Sequence, residues 1–269
     1  MALSTKLPPN KRIFWIFFIL AFALSTLIFQ IAPQASEETL NQGSCKLDIA
    51  IVIGTSESMN QKMKADDAES LTRLQFAKNA AQKVIGYFDY QNRQRADAQK
   101  TQIALVSFAG TSSIDVPLSA ADNLSAQYSK LAALQTAKGA NLGNAIMNAH
   151  GQFKNDTRKG VQKVIMVFSD GRDNKSAVPY VDPIVEAAKA KASGDEIFAF
   201  GIGENGVLPY IASAGIPRHF QHNPTNGVMN DTIEAISNKA CAQNQTSKPC
   251  KLDLAILLDA TKSMNKPLE

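Results

Sequence analysis

Leu47-Asp48-Ile49-Ala50-Ile51-Val52-Ile53-Gly54 is a nearly continuous apolar run stopped by a glycine, and Thr55-Ser56-Glu57-Ser58 follow at once. Such a run suits a strand covered on both faces. Downstream, Leu71, Leu74, Ala77, Ala81, Val84, Ile85 and Phe88 recur at steps of three and four, the pattern of an amphipathic helix. Ile103–Phe108 and Ile114–Leu118 read as strands with Gly110-Thr111-Ser112 as the turn between them. Leu124–Leu134 and Leu142–Phe153 read as helices, Val161–Phe168 as a second buried strand, Pro183–Ala192 as a helix, Glu196–Gly201 as a strand and Thr232–Cys241 as a helix.

Strands alternating with helices predict an α/β fold: an open, mostly parallel, doubly wound sheet with helices on both faces. Ligands of such sheets bind outside the carboxyl ends of the strands. The ends of Leu47–Ile53, Val161–Phe168 and Glu196–Gly201 are therefore the first places to look for a site.

Ahead of this domain, Lys6, Lys11 and Arg12 precede an uncharged apolar run from Ile13 to Ala32. About 20 apolar residues match the thickness of a bilayer core. We expect one transmembrane signal anchor at residues 13–32, a basic cytoplasmic tail at 1–12 and a polar tether at 33–44, with everything after the span outside the cytoplasm. Cleavage as a signal peptide is the alternative, and it too exports the domain. The chain of 269 residues is 45% hydrophobic and 19% charged, with a net charge of +4. No Lys/Arg run is dense enough to track nucleic-acid phosphates, so nucleic acid is not an expected partner.

The opening segment returns late in the chain. Cys45-Lys46-Leu47-Asp48 reappears as Cys250-Lys251-Leu252-Asp253, and Ser58-Met59-Asn60 as Ser263-Met264-Asn265 at matched spacing. This organisation predicts one full domain at 45–241, a linker at 242–249 and the start of a second domain at 250–269.

The loop after the first strand carries a specific resemblance. Asp259, Thr261 and Ser263 in the second copy form an Asp-x-Ser/Thr-x-Ser pattern, and the first copy has Gly54, Ser56 and Ser58. Gly139-Ala140-Asn141-Leu142 and Ser169-Asp170-Gly171 supply two further elements. Together they resemble the von Willebrand factor type A domain family, whose metal-ion-dependent adhesion site begins with that loop. The resemblance implies a binding and adhesion module, not an enzyme. It implies hydroxyl ligands from Ser56 and Ser58, a carboxylate from Asp170, and Mg²⁺ or Mn²⁺ bridging to an acidic residue of a protein or cell-surface partner.

The first copy departs from the pattern twice: Gly54 replaces the leading acid, and Ala140 stands where a threonine is usual. A hard cation with fewer oxygen ligands and less negative charge binds weakly, so metal dependence is expected to be weak or lost in the full domain. Ser56 and Ser58 also admit a plainer role, capping the helix that follows. The family resemblance further implies a disulfide closing the domain, Cys45 with Cys241, which leaves Cys250 to the second copy. Pairing of Cys241 with Cys250 is the alternative.

Three rival patterns are present. Gly54-Thr55-Ser56-Glu57-Ser58 is one residue from the nucleophile elbow, and Asp170 with His219 or His222 would complete a serine hydrolase in the Ser…Asp…His order. Gly201-Ile202-Gly203-Glu204-Asn205-Gly206 fits the dinucleotide fingerprint but comes late, without a helix opening at once. His219 and His222 alone are too few for a zinc site.

Overall fold

A computed structural model describes residues 46–63, 71–120, 125–154, 158–174, 179–215 and 217–242. The expected span at 13–32, the tether at 33–44, Cys45 and the second copy at 250–269 lie outside them. No helix among the described residues is long and apolar enough to cross a membrane.

Strand β1, Leu47–Gly54, is buried at every position. Its odd residues Leu47, Ile49, Ile51 and Ile53 enter one core and its even residues Ala50 and Val52 another. This two-sided burial is why the run is apolar but for Asp48, which is buried and paired with Arg158: each large aliphatic that leaves water gains about 1.5–3 kcal/mol. The chain then forms a short 3-10 turn, Glu57–Asn60, and helix α1, Arg73–Asn92. Thr72 starts α1 with a capping box, accepting from the Gln75 amide while its own amide donates to the Gln75 side chain. Leu74, Ala77, Ala81, Val84, Ile85 and Phe88 of α1 pack beneath the odd face of β1.

Strand β2, Gln102–Phe108, pairs parallel with β1, and β3, Ser112–Ala120, turns back antiparallel at the edge. Helices α2, Ser125–Ala133, and α3, Leu142–Lys154, lead to β4, Gln162–Ser169, on the other side of β1. Helix α4, Pro183–Ala192, leads to β5, Glu196–Gly201, beside β4. A four-residue helix α5, Leu208–Ile211, precedes β6, Phe220–His222, and α6, Asn226–Ala242, follows.

Among the described residues, six strands run in the order β3-β2-β1-β4-β5-β6, all parallel except β3. Helices α1 and α6 cover one face, and α3 and α4 the other. The expected open α/β sheet with helices on both faces is what the chain forms. Helix α6 starts six residues before the expected Thr232: Met229 in its first turn is buried in the core, while Asn226 and Gly227 ahead of it carry no apolar period. The sequence reading also omitted β6 and α5, both too short to show a period.

The ends of the domain meet at one pole. Lys46 at the entry of β1 donates to the Lys159 carbonyl just before β4, 3.4 Å away. Lys239 near the end of α6 reaches Glu196 at the start of β5, 2.8 Å away. The carboxyl ends of the parallel strands form the opposite pole.

Candidate functional site

Four chain segments converge at that opposite pole. Gly54 pairs with Phe108, Ile53 with Phe168, and Ser169 with Gly201, so β2, β1, β4 and β5 end level with one another. The segment before α3 closes on them: Ala137 donates to the Thr55 carbonyl at 2.8 Å, Asn141 to Ala109 at 2.7 Å and Asn174 to Ala140 at 2.7 Å. Ser56 and Asp170, expected to share one rim, follow the carboxyl ends of neighbouring strands, Ser56 two residues beyond β1 and Asp170 directly after β4.

The two hydroxyls face each other, with Ser56 Oγ 2.9 Å from Ser58 Oγ. Neither side chain caps the Glu57–Asn60 turn; Ser56 occupies the cap position, but its hydroxyl accepts no capping hydrogen bond from the turn's amides. The plain capping role is therefore not what these serines do. Ala140 is buried and contributes its backbone carbonyl, while Asn141 caps α3 by accepting from the Asn144 amide at 3.3 Å.

Asp170 is fully buried and its charge is met by arginine. Arg73 Nη1 donates to Asp170 Oδ2 at 3.3 Å, Arg172 Nε stands 3.6 Å from the same oxygen, and the Arg172 amide donates to Oδ1 at 3.3 Å. The two arginines also hold Glu204. Arg172 binds it bidentately, Nη2 to Oε1 at 2.7 Å and Nε to Oε2 at 3.0 Å, and Arg73 Nη2 stands 3.6 Å from Oε1. The Arg172 hydrogen bonds hold the Glu204 carboxyl below the ordinary glutamate range. Two guanidiniums and two carboxylates thus balance in charge at the rim.

Backbone shape admits the Arg73 side chain. Gly203 has φ +78°, and a Cβ there would overlap Arg73 Nε and lie 2.6 Å from Cζ. At Gly54, a Cβ would lie 2.8 Å from Ser169 Oγ. The position of the missing acid is closed as well as empty of charge.

A divalent cation does not fit this donor set. The buried carboxylate that would hold it is already paired with Arg73, the leading acid and the threonine hydroxyl are absent, and a guanidinium repels a dication. Among the described residues, no cluster of three or more His, Cys, Asp or Glu is arranged to hold a metal. Asp259, Thr261 and Ser263 lie outside the described residues.

The hydrolase arrangement is not formed. His219 is buried at the other pole, its Nε2 against Glu196 Oε1 and its ring stacked on Phe198 with centroids 4.2 Å apart. His222 pairs with Gly201 at the rim. It stands three strand spacings from β1, roughly 14 Å, too far to take a proton from Ser56. Nor does the glycine-rich segment 201–206 open a dinucleotide site: Gly206 packs against the Gly171 backbone and the helix that follows has only four residues.

Arg73, Arg172 and Glu204 were not among the residues singled out from sequence. The available signal was the absence of a counter-charge: a buried Asp170 that loses its cation needs another one.

The von Willebrand factor type A domain profile matches residues 48–235. Matrilin-1 of Gallus gallus is 29% identical over 163 residues, which is 57% of this chain and 30% of that protein, so the chain spans under a third of its length. The solved structure of proximal thread matrix protein 1 from the mussel byssus is similar at 23% identity, with a TM-score of 0.53 over 73% of this chain and 47% of that one. Protein BatB from Bacteroides thetaiotaomicron is similar at 17% identity and a TM-score of 0.53, over 73% of this chain and 98% of that one. At these identities the two structures speak to the fold.

Proposed function

We propose a binding function on a plain premise: this chain belongs to the von Willebrand factor type A domain family. The domain is a non-catalytic adhesion module that takes a protein or cell-surface ligand at the carboxyl edge of its sheet. The observation that carries this reading is the convergence of the 55–60, 137–141, 170–174 and 202–207 segments on one rim. The arginine pairing of Asp170 supports binding with weak or no dependence on Mg²⁺ or Mn²⁺, so that Ser56 and Ser58 shape the rim rather than ligate.

The apolar run 13–32 supports a single-pass anchor with the domain outside the cytoplasm, and 250–269 the start of a second domain. Cys241, at the end of α6, is disulfide-bonded. The meeting of the domain's two ends at one pole favours Cys45 as its partner over Cys250.

A photo-crosslinking residue placed at Glu57 on the rim, and separately at Ser193 on the opposite pole, tests the reading in the native membrane. Crosslinks to a partner from position 57 but not from 193 are expected. Crosslinks from 193 alone would overturn it. Protease added to intact cells should cut the domain; full protection would overturn the exported placement.

A further inference from the structure

We propose that the guanidinium of Arg73 stands permanently where a cation would sit, and that Arg73 and Arg172 together form a metal-free site for a carboxylate, which Glu204 of the chain itself occupies. The inference deepens the reading of the rim as a binding edge and rests on it.

The positive charge is built in. Arg73 is 7% exposed, and its Nε is buried without a hydrogen-bond partner. Nothing in solution replaces it: the first turn of α1 is held by the Thr72 capping box and by the Arg73 amide, which donates to the Gln61 carbonyl at 2.8 Å. Gly203 leaves the space that the guanidinium fills. Buried against Asp170, Arg73 neutralises that acid and keeps Nη2 facing Glu204.

Arg172 is different in kind. Its side chain is 49% exposed, as is 45% of that of Glu204. A planar guanidinium offers two parallel donors to a carboxylate, which Glu204 already demonstrates in its bidentate contact. An exposed pair of this kind is worth little, from nothing to about 1 kcal/mol. An incoming acidic side chain can therefore displace Glu204 and inherit both arginines, whereas it cannot displace Asp170 from its buried pair. The site thus discriminates for a carboxylate through fixed donors, and an amide of the same shape would lack the charge those donors require.

The test uses the full chain in detergent, labelled with ¹⁵N-arginine, and the probe N-acetyl-glutamyl amide, with N-acetyl-glutaminyl amide as control. In the Glu204→Gln variant, the probe should give saturable shifts of the Arg172 and Arg73 Nε–H resonances, and the glutamine control none. Binding to the wild type should be weaker by up to about fivefold, because Glu204 competes. Glu204→Gln with Arg172→Gln should lose the shifts at Arg73 while keeping the wild-type melting profile. Magnesium, manganese or a chelator should change nothing. Absence of saturable shifts in Glu204→Gln, or shifts that require a divalent cation, would overturn the proposal. A chain that takes the probe as expected, yet crosslinks its partner only from the opposite pole, would sink the rim as the partner's edge and leave the carboxylate site standing.

Discussion

Arg73 and Asp170 form a buried ion pair that ties the first turn of α1 to the end of β4, with Nη1 3.3 Å from Oδ2. Removing one partner leaves the other charged and out of water. Arg73→Gln should therefore destabilise the domain by about 3–5 kcal/mol in denaturant unfolding. Arg73→Gln combined with Asp170→Asn should recover a large part of that loss. A double variant no more stable than Arg73→Gln alone would mean that the pair is not coupled.

Gly203 supports the same pair from behind. Gly203→Ala places a methyl group against Arg73 Nε and strains a residue at φ +78°. A cost of about 1–3 kcal/mol is expected, measured as a shift in the denaturation midpoint. In an Arg73→Gln background the steric part of that cost should shrink, since the obstructed guanidinium is gone. Equal costs in both backgrounds would assign the effect to the backbone angle alone.

Restoring the acid that the family pattern places at residue 54 should not restore a metal site. A Cβ at Gly54 meets Ser169 Oγ at 2.8 Å, and Arg73 still neutralises Asp170. Calorimetry on Gly54→Asp should show no Mg²⁺ or Mn²⁺ binding, together with a lowered melting temperature. Binding that appears on this single change would show that Arg73 yields to a dication.

The opposite pole should respond to acid. Burial alone would raise the Glu196 carboxyl, yet hydrogen bonds from Lys239, His219 and Gln162 outweigh it and hold the group below its ordinary value of 4.5. A folded-state value below the unfolded one stabilises the fold above that unfolded value, and the contribution drains as pH falls through the folded value. Asp195 beside it acts the other way: burial raises it despite its 2.6 Å contact with His150, so its effect favours the fold at low pH and is lost as pH rises. Glu196→Gln should flatten the loss of stability below about pH 5 in melting scans. An unchanged slope would remove Glu196 from the acid response.

The core is where size matters most. Phe88 of α1 is fully buried against the odd face of the sheet. Phe88→Ala should cost about 3–5 kcal/mol in denaturant unfolding. A much smaller cost would mean that the helix collapses into the space.

What sequence alone disclosed depended on whether the physical cause was local. The burial of β1 on both faces is written into consecutive apolar residues. The start of α4 is marked by Asp182, whose side chain caps Ile184 and Val185, and by Pro183 in the first turn. By contrast β6 is three residues long, and its strand state rests on pairing with β5. At the rim, Ser56, Ser58 and Asp170 were placed by motif and topology. Arg73 was not, because nothing near Thr72 says that a guanidinium reaches a strand end 97 residues further on.

The domain is entered and left at the pole where Lys46 meets Lys159 and Lys239 meets Glu196. Tension applied through those two ends would act across the foot of the sheet, away from the far loops. β1 has eight residues, which at about 3.3 Å each set the carboxyl rim roughly 26 Å from that pole. If the proposed anchoring holds, a copy pulled through these ends would keep the geometry of its rim.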